Sequence, residues 1–234
     1  MNINITYWSD FSCPYCYIGE TRLKKAITNL GLNDTITLVP KAFRLDPNAP
    51  LKSIGTTQDR FAQKYRISNE QAGDKIKHIS ELGYKEGLEF NYSSTLFTNN
   101  MDAHRIIKML QDRKSNLVDT LQEELLCAYF SKNKELADRQ VLLEITDKYG
   151  INSNEVINML DSDDYKEQVL QEEQEAYNLG VRAVPYFLID DEITVTGAQT
   201  QEVFEQALKK IVAKNDDLTD SNDTGTCGPE GCSI

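Results

Sequence analysis

Two cysteines separated by Pro14 and Tyr15, Cys13-Pro14-Tyr15-Cys16, follow a short apolar segment at residues 3–8 and precede a helical pattern. Thiols at this spacing can close a small reversible disulfide. Placed at the start of a helix, the first would meet unpaired backbone N–H groups that favour its thiolate, and the second would lie one turn inside. Pro14 suits the first helical turn, where it has no amide donor to lose. The pattern points to thiol–disulfide exchange, in which a thiolate attacks a disulfide and a second thiol resolves the mixed disulfide. A competing reading makes Cys13 and Cys16 half of a zinc site completed by Cys227 and Cys232.

Other groups could carry chemistry too. Cys227-Gly228-Pro229-Glu230-Gly231-Cys232 forms a Cys-x4-Cys pair whose glycines and proline favour a tight turn. It is expected to be either an auxiliary dithiol exchanging with the first pair or an idle exposed one. Cys127, in an apolar helical stretch, reads as an inert core thiol. His104 and Arg105 read either as cleft residues or as helix residues bonded in an interface; His78 is expected to face solvent. Asp10, close in sequence, would oppose a low thiol pKa.

The chain of 234 residues has 40% hydrophobic and 26% charged residues and a formal charge of −12. These values describe a globular protein with a real core, and the acidity argues against nucleic acid and anionic membranes as partners. No apolar run approaches the roughly 18 residues of a membrane span. The amino end has neither a basic region nor a cleavage site, so a cytoplasmic setting is expected, where cysteines serve redox or metal chemistry before structural bridges.

The elements that must hold the dithiol follow from periodicity. Ile3, Ile5 and Tyr7 alternate as in a strand; Leu23, Ala26, Ile27 and Leu30 fall at helical spacing before Gly31. Residues 36–43 read as a second strand, and Pro40, lacking an amide donor, puts it at a sheet edge. Helical patterns run from about residue 57 to 178, with a capping box at Ser68-Asn69-Glu70-Gln71 and helices over 102–113, 117–132, 139–149, 155–160 and 165–178. Strands return at 184–189 and 193–196 around Asp190-Asp191, and a helix closes the pattern at 201–212. The polar stretch beyond it is expected to be a mobile tail.

Together with Gly180-Val181-Arg182-Ala183-Val184-Pro185-Tyr186-Phe187, Gly197-Ala198-Gln199 and the segment Asn99 to Arg105, the dithiol resembles the DsbA-type thioredoxin-fold family, in its FrnE-like branch, over residues 1 to about 213. The resemblance implies an α/β protein: a thioredoxin fold with a large all-helical insertion between the two halves of the sheet. Residues 1–50 and 180–213 would form the thioredoxin-like domain, 51–179 the insertion, and 214–234 an acidic tail. It also implies a cis Val184–Pro185 bond beside the dithiol, although an X–Pro bond is trans by default, with Val184 and Pro185 positioning substrate. The resemblance assigns Cys13 as the exposed nucleophile and Cys16 as the resolving thiol, and makes Asn99 and His104 cleft candidates. Partners would be protein or small-molecule thiols and disulfides, with glutathione as a redox partner and no cofactor or metal. Tyr15 stands where the branch has Trp, and Asn100 where the family has a hydroxyl residue. The same fold is similar to hydroxychromene-carboxylate isomerases and kappa-class glutathione transferases, which place a serine at the Cys13 position. A redox-sensing adaptor without turnover is a further alternative.

Overall fold

The computed structural model describes residues 2–222, with side chains through residue 215. Strand β1 (Ile3–Ser9), helix α1 (Pro14–Asn29) and strand β2 (Ile36–Ala42) come first. Seven helices follow: α2 (Thr57–Tyr65), α3 (Asn69–Lys85), α4 (Met101–Asp112), α5 (Val118–Phe130), α6 (Arg139–Lys148), α7 (Ser153–Asp161) and α8 (Lys166–Asn178). The chain then returns through β3 (Tyr186–Ile189), β4 (Ile193–Thr196) and α9 (Gln201–Asn222). The sheet order is β2-β1-β3-β4, with β1 and β2 parallel and the other pairs antiparallel. Among the described residues no helix is long and apolar enough to cross a membrane. This is a thioredoxin fold carrying a helical insertion.

Local chemistry sets the boundaries. Ser68 accepts from the Gln71 amide and Gln71 returns a bond to Ser68, a complete capping box. Asp190 and Asp191 both take positive φ in the hairpin turn, a conformation that Asp tolerates better than most residues. β3 starts only at Tyr186, directly after Pro185, which has no N–H to give to a ladder; the Val184–Pro185 bond is cis. α9 continues past residue 212 to Asn222, where a tail was expected from 214. Its buried face (Phe204, Leu208, Ile211) anchors the helix, and no Gly or Pro interrupts it before residue 222.

β2 lies at the edge as Pro40 requires, and the insertion covers that edge. Lys108 and Gln111 of α4 donate to the Pro40 carbonyl at 2.9 and 2.8 Å. Glu172 of α8 accepts from the Ala42 amide at 2.7 Å, and Glu173 from the Arg44 amide at 3.1 Å. Side chains thus satisfy backbone groups that would otherwise invite strand pairing. Two larger cores meet on α1. Leu23, Ala26 and Ile27 pack with the sheet and α9, whereas Tyr17 and Ile18 pack with the insertion helices. A smaller third cluster joins Cys13 and Cys16 to Trp8, Phe43 and Val184.

Candidate active site

Cys13 is the N-cap of α1 and Pro14 its first residue, so the dithiol is held by the junction of β1 and α1. Both thiols are free. Cys13 is not exposed, as expected from sequence, but recessed: 4% of its surface remains accessible, through a cavity. Its Sγ donates to the Val184 carbonyl at 3.5 Å, which brings the cis Val184–Pro185 loop against that sulfur. α1 can approach that loop because residue 19 is glycine; a Cβ there would come within 2.9 Å of Pro185 Cγ. The Val184 N–H takes no backbone acceptor among the described residues.

Cys16 is fully buried one turn further in, and the Asp10 amide donates to its Sγ at 3.5 Å. Burial pushes its pKa well above that of an ordinary thiol. The hydrogen-bonded Cys13 and the negative field of Glu20 add to the rise, and the Asp10 amide offsets part of it. Asp10 was expected to be the acid opposing the thiols. Its carboxylate instead accepts from Ser12 N and Oγ (both 2.8 Å), Leu45 N (2.6 Å) and Asn100 Nδ2 (2.5 Å), tying the loop after β2 to the start of α4. Burial raises its pKa and these four donors oppose the rise.

Glu20 is the acid that sequence reasoning missed. A glutamate on a helix reads as surface, yet this one is 3% exposed and lies one turn past Cys16, on the same helix face. One carboxylate oxygen accepts from Ser9 Oγ at 2.5 Å and Gln122 Nε2 at 3.4 Å, while Oε2 has no partner among the described residues. Burial pushes its pKa up to about 7, against the lowering pull of Ser9, Lys24 and Gln122. It also lines a cavity of about 480 Å³ between α1 and α5.

The cleft itself is a cavity of about 1080 Å³, walled by Cys13, Pro14 and Tyr15 on one side and by the α2–α3 hairpin on the other. His78 is exposed, as expected, but at the rim of this cavity. Neither of the cleft candidates from sequence lines it. Asn99 staples the loop before α2, donating to the Pro47 and Ala49 carbonyls and accepting from Met101 N. His104 is buried against the Phe11 ring at 4.6 Å, and burial together with Lys108 and Arg44 holds its pKa well below the usual value. Arg105 is likewise structural, bonded to Asp102 and to the Asp164, Met159 and Ser162 carbonyls. Cys127 is half-buried at the margin of the insertion core. Cys227 and Cys232 lie outside the described residues. Among the described residues no cluster of His, Cys, Asp and Glu could hold a metal ion.

The sequence profile of the DSBA-like thioredoxin domain matches residues 4–209. Among solved structures, the chain is similar to a probable DsbA oxidoreductase from Streptomyces coelicolor, at 27% identity and a TM-score of 0.84, covering 100% of this chain and 99% of that one. A 2-hydroxychromene-2-carboxylate isomerase shares the fold at 16% identity and a TM-score of 0.67, covering 92% of this chain and 98% of the other. The cytosolic disulfide reductase DsbM from Pseudomonas aeruginosa, also solved with GSH, shares it at 15% identity and a TM-score of 0.60, covering 90% and 98%.

Proposed function

The chain belongs to the DSBA-like thioredoxin domain family, and from that premise we propose that it is a thiol–disulfide oxidoreductase working through Cys13 and Cys16. The observation that carries this reading is a free dithiol with its leading sulfur on the cleft, against the Val184 carbonyl, and its second sulfur sealed beneath. The Cys13 thiolate attacks a substrate disulfide, forming a mixed disulfide and releasing one substrate thiolate. Cys16 loses its proton and attacks Cys13 Sγ, releasing the second thiolate. The dithiol is oxidised by two electrons and the substrate disulfide reduced; the reverse sequence oxidises a substrate dithiol. A buried thiol needs a nearby proton acceptor to do this. Glu20, with a pKa of about 7 and an unpartnered oxygen, fills that role and can return the proton to solvent through the cavity it lines. Val184, with its free N–H, and Pro185 position the incoming sulfur.

Insulin reduction with a thiol reductant tests the reading. Cys13→Ser should lower turnover about a thousandfold or more, and Cys16→Ser should accumulate a covalent substrate adduct on Cys13, visible by intact mass. Full activity in Cys13→Ser would sink the proposal. The fold shared with an isomerase supports a second reading, a glutathione-dependent isomerase or transferase; glutathione-dependent turnover that survives Cys13→Ser would favour it. Binding of a partner with no turnover at all would favour the redox-sensing adaptor. Glutathione is the small thiol that we propose to recharge the dithiol, and the setting the cytoplasm, on the support of the composition and of the cytosolic relative. Cys227 and Cys232 would exchange with the catalytic pair; deleting residues 223–234 without changing turnover or reduction potential would end that part.

A further inference from the structure

Between Cys13 and the α2–α3 hairpin the cavity combines two features seldom found together on an acidic chain. Its walls carry aromatic rings that water still reaches: Tyr65 is 54% exposed and Tyr15 41%. Phe61 stacks obliquely on Tyr65 at 4.5 Å, so the rings form a continuous surface. Arg60, Lys64 and Lys75 line the same walls, opposed by Asp46 and Asp74. The chain as a whole carries −12, so this is a local reversal of sign. Among the described residues none of the three cations is in an ion pair. The Arg60 guanidinium carbon sits over the Phe97 ring, 3.8 Å from its centroid, which holds its charge at the cavity wall.

Unpaired cations set among open aromatic rings recognise a planar apolar body bearing negative charge. The volume of about 1080 Å³ suits a whole small molecule. Cys13, only 4% exposed, is reached from inside this space.

We propose that the cavity binds a low-molecular-weight disulfide with an aromatic body and an anionic group, and presents one of its sulfurs to Cys13. The inference rests on the oxidoreductase reading and names its substrate class. The ring lies against Tyr15, Phe61 and Tyr65, and the anion faces Lys64, Lys75 and Arg60. The substrate S–S bond breaks as Cys13 forms the mixed disulfide and one aryl thiolate leaves. Cys16 then displaces the second, leaving the Cys13–Cys16 disulfide.

The test mixes the reduced full chain with two aromatic disulfides, dithiobis(nitrobenzoate), which is anionic, and dithiodipyridine, which is neutral. Formation of the Cys13–Cys16 bond is followed by mass spectrometry of quenched samples. The anionic probe should show a rate that saturates with concentration and is competitively slowed by naphthoate, an unreactive aromatic carboxylate. Lys64→Gln/Lys75→Gln should raise its half-saturation concentration about tenfold, the effect of losing one good charge contact, and leave the neutral probe unchanged. A rate that stays linear, ignores naphthoate and ignores the double substitution, while both probes still oxidise the dithiol, overturns the inference alone. If neither probe closes the Cys13–Cys16 bond, the oxidoreductase reading itself has failed.

Discussion

On the α4–α8 side of the molecule, buried charges are matched group by group. Arg44 holds Glu173 through two bonds of 2.6 and 3.0 Å, Lys108 pairs with Glu172 at 2.7 Å, and Arg105 is bonded to Asp102 and three carbonyls. On the α2–α3 side, Arg60, Lys64 and Lys75 surround a cavity without carboxylate partners among the described residues, and aromatic rings lie open to water. Both seams join the same insertion to the same sheet unit. The first spends its charges on closing an edge strand and holding the fold; the second leaves them free for something that arrives from outside.

This contrast breaks most easily at its matched side. Glu173→Leu leaves the Arg44 guanidinium buried without a counter-charge and should lower unfolding free energy by about 3–5 kcal/mol, measured from urea midpoints. A loss below about 1 kcal/mol would mean that the seam tolerates an orphan charge.

Glu20 belongs to neither pattern: a buried acid with one oxygen unpartnered. Its folded pKa, about 7, exceeds the ordinary carboxylate value near 4.5. The folded state therefore holds a proton that the unfolded chain releases, and stability falls as pH rises through that window, by up to about 3 kcal/mol. Glu20→Gln should abolish this slope, matching wild type near pH 4 and exceeding it above pH 7. It should also remove the inflection near pH 7 from the rate of Cys16 attack, with Cys13 alkylation unchanged. Parallel stability curves for the two proteins would show that the carboxylate is not strained.

The smallest expected effect sharpens the other side. Lys64→Gln/Lys75→Gln should change stability by no more than about 0.5 kcal/mol in the same urea assay. A loss above about 2 kcal/mol would make these lysines structural and erase the distinction between the seams.

How much of this was legible beforehand depended on whether the signal was local. The dithiol, Pro40 at an edge, the capping box at Ser68 and the turn at Asp190-Asp191 all declare themselves within a few residues, because each answers a backbone constraint. Glu20 could not, since a helix glutamate reads as solvated until Ser9 and Gln122, from two other elements, close over it. For the same reason the sequence could not place Asn99, nor separate the cleft reading of His104 from the interface one: their partners, the Pro47–Pro50 loop and Phe11, are distant in sequence. The cavity arises from a hairpin folding back on the dithiol, a long-range event with no periodic trace. A sequence clue did exist: Arg60, Phe61, Lys64 and Tyr65 alternate cation and ring on one short helix.

α1 serves as a common wall, giving one flank to the sheet and the other to the insertion helices. Neither lobe could be excised or transplanted by itself without baring a row of side chains such as Tyr17 and Ile18, or Leu23 and Ile27. Exchanging the α2–α3 hairpin would reshape the cavity beside Cys13, provided that the new hairpin keeps apolar residues where Ile76 and Ile79 pack into the insertion core.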